Sequence, residues 1–326
     1  EVYYYAGNTT NNWVKFGRYQ NDFIKYRGYY SSTSTTSYRV YDTLNECNSS
    51  TLYNKNCSEY KFASAGDDIY WRIIRTNHDG SIRLLYVGTS PNATSVEIGQ
   101  GSYNIGDDNP KYVGYKYGED YSTLDAIREN TTDSTIKTKV DTWYQNILIS
   151  YTKYLSTSAV YCNDRSIESG IYLTDKWYYG GYTRLKTNKN PTYDCNDIRD
   201  AFSVDNTSAK LDYPVALVTA DEIVFAGDTP YQKMSTPYAW FASNSAGTLL
   251  TGAFYSMTPY AETTATGITV WYWDSFYPHL SDGGIYNIFY ASIGVRPVIS
   301  LSSCVKVTGF GTPDDPYVAD YDDSCN

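Results

Sequence analysis

Histidine, the side chain that most often acts as a general acid or base, is rare in this chain. Histidine occurs twice, as His78 beside Asp79 and as His279 after Pro278 in an aromatic segment. A nucleophilic triad needs a histidine held between a nucleophile and an acid. We interpret His78 as a turn residue and His279 as a surface residue. The sequence also lacks G-x-G-x-x-G, Walker and G-x-S-x-G motifs. These features favour a binding protein over an enzyme.

Carboxylates occur in adjacent pairs, at Asp67/Asp68, Asp107/Asp108 and Asp314/Asp315. Neighbouring residues of extended chain point to opposite sides, so these pairs are poorly placed for joint acid and base work. Oxygen-rich loops can hold calcium, although none of these matches an EF-hand loop. We therefore expect no cofactor and no metal site, with calcium as the open alternative.

Six cysteines are present, and none forms a C-x-x-C motif. With only two histidines to join them, a zinc site is not expected. Six thiols allow fifteen pairings, and proximity in the sequence favours Cys47 with Cys57, Cys162 with Cys195 and Cys304 with Cys325. Such bridges predict an oxidising, extracellular location. Six reduced cysteines in a cytosolic protein are the alternative.

The composition excludes some partners. The chain has 326 residues, a net charge of −10 and 38 tyrosines. Because phosphate binding needs clustered Lys and Arg, we expect no nucleic-acid partner and no anionic membrane surface. No apolar run is long enough to span a bilayer, so membrane attachment would need an anchor outside this sequence. Tyrosine suits both a core and a contact surface, because it combines a ring with a polar tip.

The block from Met234 to Ser303 has an unusual composition. It contains no Lys and no Gln, one Arg and one Glu, yet many aromatic residues. Alternate residues of a strand face opposite sides, so in "ITVWYWDS" one set should face the core and the other should be at least half exposed. Core burial alone does not explain why the loops of this block also lack charge. We therefore expect an outward-facing aromatic surface here.

The elements that must position these residues are predicted from periodicity. Residues 69–88 predict a central hairpin, and residues 3–17 two strands. A helix of about fifteen residues is expected after Asp133/Ser134, and a shorter one over 121–129. Residues 213–227 predict a strand and a helix with a Thr219/Glu222 capping box. Further strands are expected at 252–258, 267–274, 285–291 and 294–301, followed by a closing hairpin.

Five segments together resemble a known family. They are "YYYAGNTTNNWVKFG", "YWRIIRTNHDGSIRLLYVG", "YPVALVTADEIVFAG", "FYSMTP" and "IGVRPVISL". In this order they resemble the C-type-lectin-fold surface domains of gut Firmicutes, which are related to the formylglycine-generating-enzyme fold. They are also similar to the variable proteins of diversity-generating retroelements, whose variable region ends near a motif matched here by Gly294-Val295-Arg296.

The resemblance implies an α+β, C-type-lectin-like fold with twisted antiparallel sheets, two helices and long loop insertions. The lectin-like domain would cover 1–303, with a disulfide-bearing insertion at 18–65 and a ligand-binding, variable region at 238–296, and the tail 304–326 would follow. Trp240, Trp271 and Trp273 would be scaffold. The candidates for the ligand face are Tyr260, Tyr272, Asp274, Phe276, Tyr277, His279, Asp282, Tyr286, Asn287 and Tyr290.

Two departures limit what the family implies. Calcium-dependent lectins carry E-P-N or Q-P-D and W-N-D motifs, whereas this chain has "TPY" and "WYWDS". Formylglycine-generating enzymes need a pair of active-site cysteines, whereas here Cys304 has only Cys325 of the tail nearby. We therefore expect an extracellular, cell-surface, adhesin-like protein that binds an unknown protein or glycan on another cell or surface. The alternatives are a pilin-like structural subunit capable of self-assembly, or an enzyme of the formylglycine-generating type.

Overall fold

The computed structural model describes residues 1–326 except 7–8, 107, 175, 233–239, 264–266, 282–287, 289–292, 322–324 and 326. Within these residues the chain is a mixed α and β protein with several antiparallel sheets and few helices. The strands are β1 (Trp13–Arg18), β2 (Phe23–Tyr29), β3 (Tyr38–Tyr41), β4 (Lys55–Ala63), β5 (Asp68–Thr76), β6 (Ile82–Gly88), β7 (Gln100–Gly101), β8 (Lys116–Tyr117), β9 (Thr132–Asp133), β10 (Tyr161–Cys162), β11 (Ile167–Gly170), β12 (Lys176–Tyr179), β13 (Ala201–Phe202), β14 (Val215–Leu217), β15 (Phe254–Thr263), β16 (Gly267–Asp274), β17 (His279–Ser281), β18 (Ile293–Gly294), β19 (Pro297–Leu301), β20 (Val307–Thr308) and β21 (Tyr317–Ala319).

The helices are short apart from one. They are α1 (Leu44–Ser49), α2 (Leu124–Ile127), α3 (Thr135–Ile147), α4 (Gly180–Tyr182), which runs into a π-helical turn at Thr183–Thr187, and α5 (Ala220–Phe225). Short 3₁₀ turns cover Pro110–Val113, Ile149–Tyr154 and Trp240–Ala242. Among the described residues, no helix is both long and apolar enough to cross a membrane.

One of two seven-stranded sheets organises the fold, and we call it the larger sheet because its strands contain slightly more residues. Its strand order is β14-β19-β6-β5-β1-β21-β20. Neighbouring strands are antiparallel, except that β1 runs parallel to β21. The predicted hairpin of residues 69–88 is confirmed as β5 and β6 in the centre of this sheet. The predicted closing hairpin is confirmed as β20 and β21, so the last strand lies beside the first.

The second seven-stranded sheet has the main order β11-β12-β15-β16-β17, with β18 beside β15 and β7 beside β18. Most of the insertion at 18–65 forms a separate three-stranded sheet of order β3-β2-β4 with α1 beside it. A Thr43/Glu46 capping box begins α1. The sequence analysis missed this helix, and the described residues contain more helices than the two that the resemblance implies.

The core joins α3 to the larger sheet through aromatic side chains. Trp143 of α3 contacts Tyr86 and Trp71 edge to face, with ring centroids 5.4 and 6.3 Å apart. Ser134 caps the helix, and its buried side chains include Ile136, Val140, Trp143, Tyr144 and Ile147, which confirms the predicted apolar face. Burial of this face stabilises the helix more than intrinsic propensity does.

Two local predictions were too long. The expected helix at 121–129 covers only α2. Shortly after it, Asn130 adopts a φ of 57° and donates its amide to the carbonyls of Arg199 and Ser208. The expected strand at the N-terminus is reduced to a single bridge between Tyr4 and Arg75. The predicted strand 285–291 lies almost entirely outside the described residues.

All three predicted disulfides are confirmed: Cys47–Cys57, Cys162–Cys195 and Cys304–Cys325. They leave no free cysteine, and they fit a secreted or extracellular protein. In the chain-entropy model, each disulfide that closes a loop of this size stabilises the folded state by roughly 3 kcal/mol.

Candidate functional site

The clearest exposed element of the predicted ligand face is the turn between β16 and β17. Asp274 pairs with His279 across the hairpin. Its Oδ1 accepts hydrogen bonds from the backbone N–H groups of Phe276 (2.8 Å) and Tyr277 (3.4 Å). Its Oδ2 accepts one from the Tyr272 hydroxyl at 3.3 Å. An aspartate that binds the N–H two residues on stabilises a tight turn. We call residues 274–279 the aromatic turn.

Two rings stand out from the aromatic turn. Phe276 is 78% exposed and Tyr277 is 52% exposed. Their centroids are 4.8 Å apart and their planes lie at 84°, an edge-to-face contact that orders both rings. His279 is half-buried, with its ring centroid 6.3 Å from that of Tyr231. The turn therefore presents an apolar surface supported on a folded hairpin.

The expectation for Tyr260 and Tyr272 was wrong, because both are buried, at 5% and 3% exposure. In β16 the residues of both faces are buried from 268 to 273, whereas the sequence analysis expected one face to be at least half exposed. A strand covered on both sides loses that alternation. Tyr260 packs against Trp271 on one side and against Tyr182 at the end of α4 on the other, with centroids 4.9 and 5.3 Å apart.

The remaining candidates divide into two groups. Asp274 is half-buried and shapes the turn, so the structure gives it a supporting place beside Phe276 and Tyr277. Asp282, Tyr286, Asn287 and Tyr290 lie outside the described residues.

The expected scaffold residues are buried. Trp240, Trp271 and Trp273 are at most 1% exposed. Arg296, which the resemblance places at the end of the variable region, is also buried and donates to the carbonyls of Tyr86 (2.7 Å) and Phe241 (2.9 Å). This arginine joins the block to the larger sheet.

A buried carboxyl group lies beneath the hairpin, and the sequence analysis missed it. Asp228 is 4% exposed. Burial raises its pKa to about 7, although the N–H groups of Thr229 and Leu280 act to lower it. Its position just after Gly227, which follows α5, was the only signal in the sequence. The acid couples β17 to the loop after α5.

One group of carboxylates among the described residues has the spacing of a metal site. Asp133, Asp141 and Asp212 converge, but they surround the Lys137 ammonium at 3.0, 2.5 and 2.7 Å. Burial raises the pKa of Asp141 to about 6 against the opposing effect of Lys137. The lysine thus supplies the positive charge at the centre of this group.

The two carboxylates of the adjacent pair Asp67/Asp68 have different partners. Asp67 accepts a hydrogen bond from the N–H of Ser64, while Asp68 forms ion pairs with Lys15 and Arg18. Asp108 accepts one from the N–H of Ile268 at 2.6 Å, and Asp107 lies outside the described residues. The side chains whose partners are seen therefore stabilise turns and strand ends.

A polar cavity of about 170 Å³ lies beside the Cys162–Cys195 disulfide and is lined in part by His78. One arginine of its lining is paired with two aspartates. Arg184 donates to Asp221 (2.7 Å) and to Asp164 (2.8 Å). His78 is itself exposed. This arrangement stabilises the region around the disulfide.

Comparison with known proteins adds no further constraint on the site. No family model, no curated protein and no solved structure matches the chain.

Proposed function

We propose that this chain is an extracellular, adhesin-like ligand-binding protein that contacts a protein or glycan on another cell or surface through the aromatic turn. The observation that carries the proposal is the exposure of Phe276 and Tyr277 on a turn already ordered by Asp274. Rings that are fixed before binding lose little conformational entropy when they contact a partner. Aromatic side chains also contribute much of the energy at binding hot spots.

The packing beneath the aromatic turn supports a role in binding. Most aromatic residues described between 238 and 281 are buried, so the two exposed rings stand on a packed base. Trp273, which lies on β16 just before the turn, stacks on Phe254 with centroids 5.3 Å apart. A rigid base of this kind lets a small apolar patch act as one contact surface.

We further propose that the scaffold is of the C-type-lectin type and that the protein is displayed at the cell surface. Four of the five segments that carry the family resemblance supply five adjacent strands of the larger sheet: β14, β19, β6, β5 and β1. The fifth segment supplies β15 of the second sheet. If residues 238–296 are diversified by a retroelement, the exposed positions of the aromatic turn can be substituted with little disturbance of the packing.

The experiment compares two phenylalanines of equal exposure. Phe276 in the aromatic turn and Phe310 in the closing hairpin are each 78% exposed. Fluorescently labelled wild type, Phe276→Ala, Tyr277→Ala and Phe310→Ala are applied to a glycan array and to a panel of intact bacterial and epithelial cells. We expect Phe276→Ala and Tyr277→Ala to lower the affinity by roughly tenfold or more, equivalent to about 1.4 kcal/mol or more.

Phe310→Ala should bind like the wild type, and all three variants should unfold at the same urea concentration as the wild type. Loss of binding in Phe310→Ala to the same extent would show that the aromatic turn has no special part. Unchanged binding in Phe276→Ala and Tyr277→Ala would overturn the proposal.

A further inference from the structure

A cleft lies between the insertion sheet and α3, and none of the predicted site residues lines it. Its volume is about 670 Å³, within the range of roughly 300–1,000 Å³ that is typical of small-molecule sites. Its lining includes the apolar side chains of Phe23, Ile98 and Trp143. Ile105, which is 71% exposed, adds a further apolar side chain to the lining. The cleft is therefore large enough for an organic molecule and apolar along part of its surface.

One face of α3 gives the cleft a polar wall. Thr135, Thr138, Lys139, Thr142 and Asn146 line it, at the spacing that brings residues to one side of a helix. The hydroxyls of Thr138 and Thr142 donate to the carbonyls four residues before them, at 3.1 and 2.8 Å. With their protons used in this way, these hydroxyls are left with acceptor capacity only.

A cationic centre lies in the cleft. The Asp42 carboxylate bonds Lys25 through Oδ1 and Lys139 through Oδ2. Two ammonium groups therefore share one carboxylate. Two glycines pack closely against these lysines. A Cβ added at Gly99 would lie 3.3 Å from Lys25 Nζ, and a Cβ added at Gly101 would lie 3.0 Å from Lys139 Cε.

Burial affects both partners of this centre. Lys25 is 6% exposed. Burial lowers the pKa of Lys25 below its ordinary value, against the attraction of Asp42. Burial alone would raise the pKa of Asp42, but the charges of Lys139 and Lys25 outweigh it and hold that pKa below its usual range. A second anion beside the two lysines would complete the charge balance.

The other carboxylates of the lining already have partners. Glu46 accepts hydrogen bonds from two backbone N–H groups at the start of α1, at 2.9 and 3.2 Å. Asp133 forms ion pairs with Lys116 (2.8 Å) and Lys137 (3.0 Å). These two carboxylates are therefore engaged, while each of the two lysines around Asp42 has donors to spare.

A buried amide adds a further donor. Asn104 is 2% exposed and lines the cleft. Its Oδ1 accepts hydrogen bonds from the N–H of Ile105 and from both the N–H and the hydroxyl of Thr135, at 3.1 to 3.3 Å. These contacts determine which end of the amide is nitrogen. Nδ2 has no hydrogen-bond partner in the part of the chain that the structure describes. A buried donor left in this way costs about 1–3 kcal/mol until something accepts from it.

We propose that this cleft binds a small amphipathic carboxylate, an aliphatic or aromatic acid whose carboxylate accepts from Lys139, Lys25 and Asn104 and whose apolar body lies against Ile98 and Ile105. The inference is independent of the aromatic turn, because no residue of that turn lines the cleft.

The test uses three ligands of equal chain length, namely octanoate, octanol and octylamine, with 3-phenylpropionate as an aromatic acid. Each is titrated by calorimetry into the full chain with its disulfides intact. Octanoate and 3-phenylpropionate should bind, whereas octanol and octylamine should bind at least roughly tenfold more weakly, because a charge-assisted hydrogen bond contributes about 1.5–3 kcal/mol.

The variants separate the cleft from the rest of the molecule. Lys139→Met keeps the length of the side chain and should weaken octanoate binding by roughly tenfold or more. Thr142→Trp should block the cleft, whereas Gln145→Trp on the same helix lies outside the lining and should bind octanoate like the wild type. Unfolding curves identify any variant that fails to fold. The other comparison then decides, either Lys139→Met with the wild type or Thr142→Trp with Gln145→Trp.

Phe276→Ala separates the two proposals, because it should lose surface binding and keep octanoate binding. Equal affinity for octanol and octanoate, equal binding by Thr142→Trp and Gln145→Trp, or failure of both acids to bind the wild type would each overturn the inference.

Discussion

At two hairpin tips of this protein an aspartate accepts the hydrogen bonds that stabilise the turn, but the surroundings of the two turns differ. At the tip of β5 and β6, Asp79 accepts hydrogen bonds from the N–H and hydroxyl of Ser81 and from the hydroxyls of Ser156 and Ser158. At the tip of β16 and β17, Asp274 accepts from two N–H groups and one tyrosine hydroxyl of its own hairpin. The first tip is tied to a distant segment, whereas the second presents two bare rings.

The difference lies in what packs around each tip. The hydroxyls of Ser156 and Ser158 reach Asp79 across more than seventy residues of sequence, so this tip belongs to the core network. Phe276 and Tyr277 remain exposed. An aspartate-stabilised turn therefore does not by itself indicate a function. The residues that pack around the turn decide whether it stabilises the fold or presents a contact surface.

The pKa values of the acids associated with the two tips are also shifted in opposite directions. Burial tends to raise the pKa of Asp79, but its hydrogen bonds from Ser156, Ser81 and Ser158 outweigh this and hold it well below its usual range. Burial raises the pKa of Asp228, which contacts β17, to about 7. Asp79 therefore stabilises the fold only when ionised, whereas ionisation of Asp228 destabilises it.

The largest expected effect is that of Asp228→Asn. Because the folded pKa of about 7 lies above the ordinary value of 3.8, this group favours folding most below pH 3.8. Its contribution to the free energy of unfolding falls as pH rises towards 7 and does not change further above that pH. Relative to wild type, the variant should gain stability over this range by up to about 4 kcal/mol. Urea unfolding at several pH values from 4 to 8 measures the gain.

The control for this experiment is Asp314→Asn, which removes an exposed carboxylate. It should change the free energy of unfolding by no more than about 0.5 kcal/mol at any pH. A constant difference between Asp228→Asn and wild type from pH 4 to 8 would contradict the assignment of a raised pKa.

Asp79→Ala should have the next largest effect. It leaves the Ser81 and Ser156 hydroxyls without their acceptor, and both serines are buried, so the free energy of unfolding should fall by about 2–3 kcal/mol at pH 7. The difference from wild type should shrink as pH falls below 3.8, because the wild-type acid then becomes protonated in the unfolded state. His78→Ala, at the exposed neighbour, is the matched control and should be within about 0.5 kcal/mol of wild type.

Asp274→Ala should have the smallest effect on stability, about 1 kcal/mol, because water can replace the lost acceptor at an exposed turn. Its effect should appear instead in ligand binding, since Phe276 and Tyr277 would lose their fixed geometry. A loss of stability as large as that of Asp79→Ala would show that the two tips do not differ as described. Urea unfolding and the cell-binding assay with the same protein provide both measurements.

Much of the local structure could be predicted because its causes lie within a few residues. The hairpin at 69–88 follows from two runs of β-branched and aromatic residues on either side of a turn, and α3 follows from Ser134 and an apolar residue every three or four positions. The Thr219/Glu222 capping box is confirmed in α5. The three disulfides join cysteines that are 10, 33 and 21 residues apart, so pairing by proximity succeeded.

The exposure of the aromatic block could not be predicted in the same way. Alternation in β16 indicates two faces but not whether a second layer covers each of them. Tyr260 is buried because the segment around α4, some eighty residues earlier in the chain, packs over β15 and Trp271. The turn after Asp274 stays outside that packing, which is why Phe276 and Tyr277 are exposed as expected while Tyr260 and Tyr272 are not.

The sequence by itself determined the disulfide pairs, the main hairpin, the principal helix and the caps, because each depends on neighbours in the chain. The tertiary structure alone decided which tyrosines are exposed, why the pKa of Asp228 is raised, and how Lys139 comes to share Asp42 with Lys25 across 97 residues. The physical reason is that burial and charge pairing depend on all the atoms around a group, and most of those atoms come from distant parts of the chain.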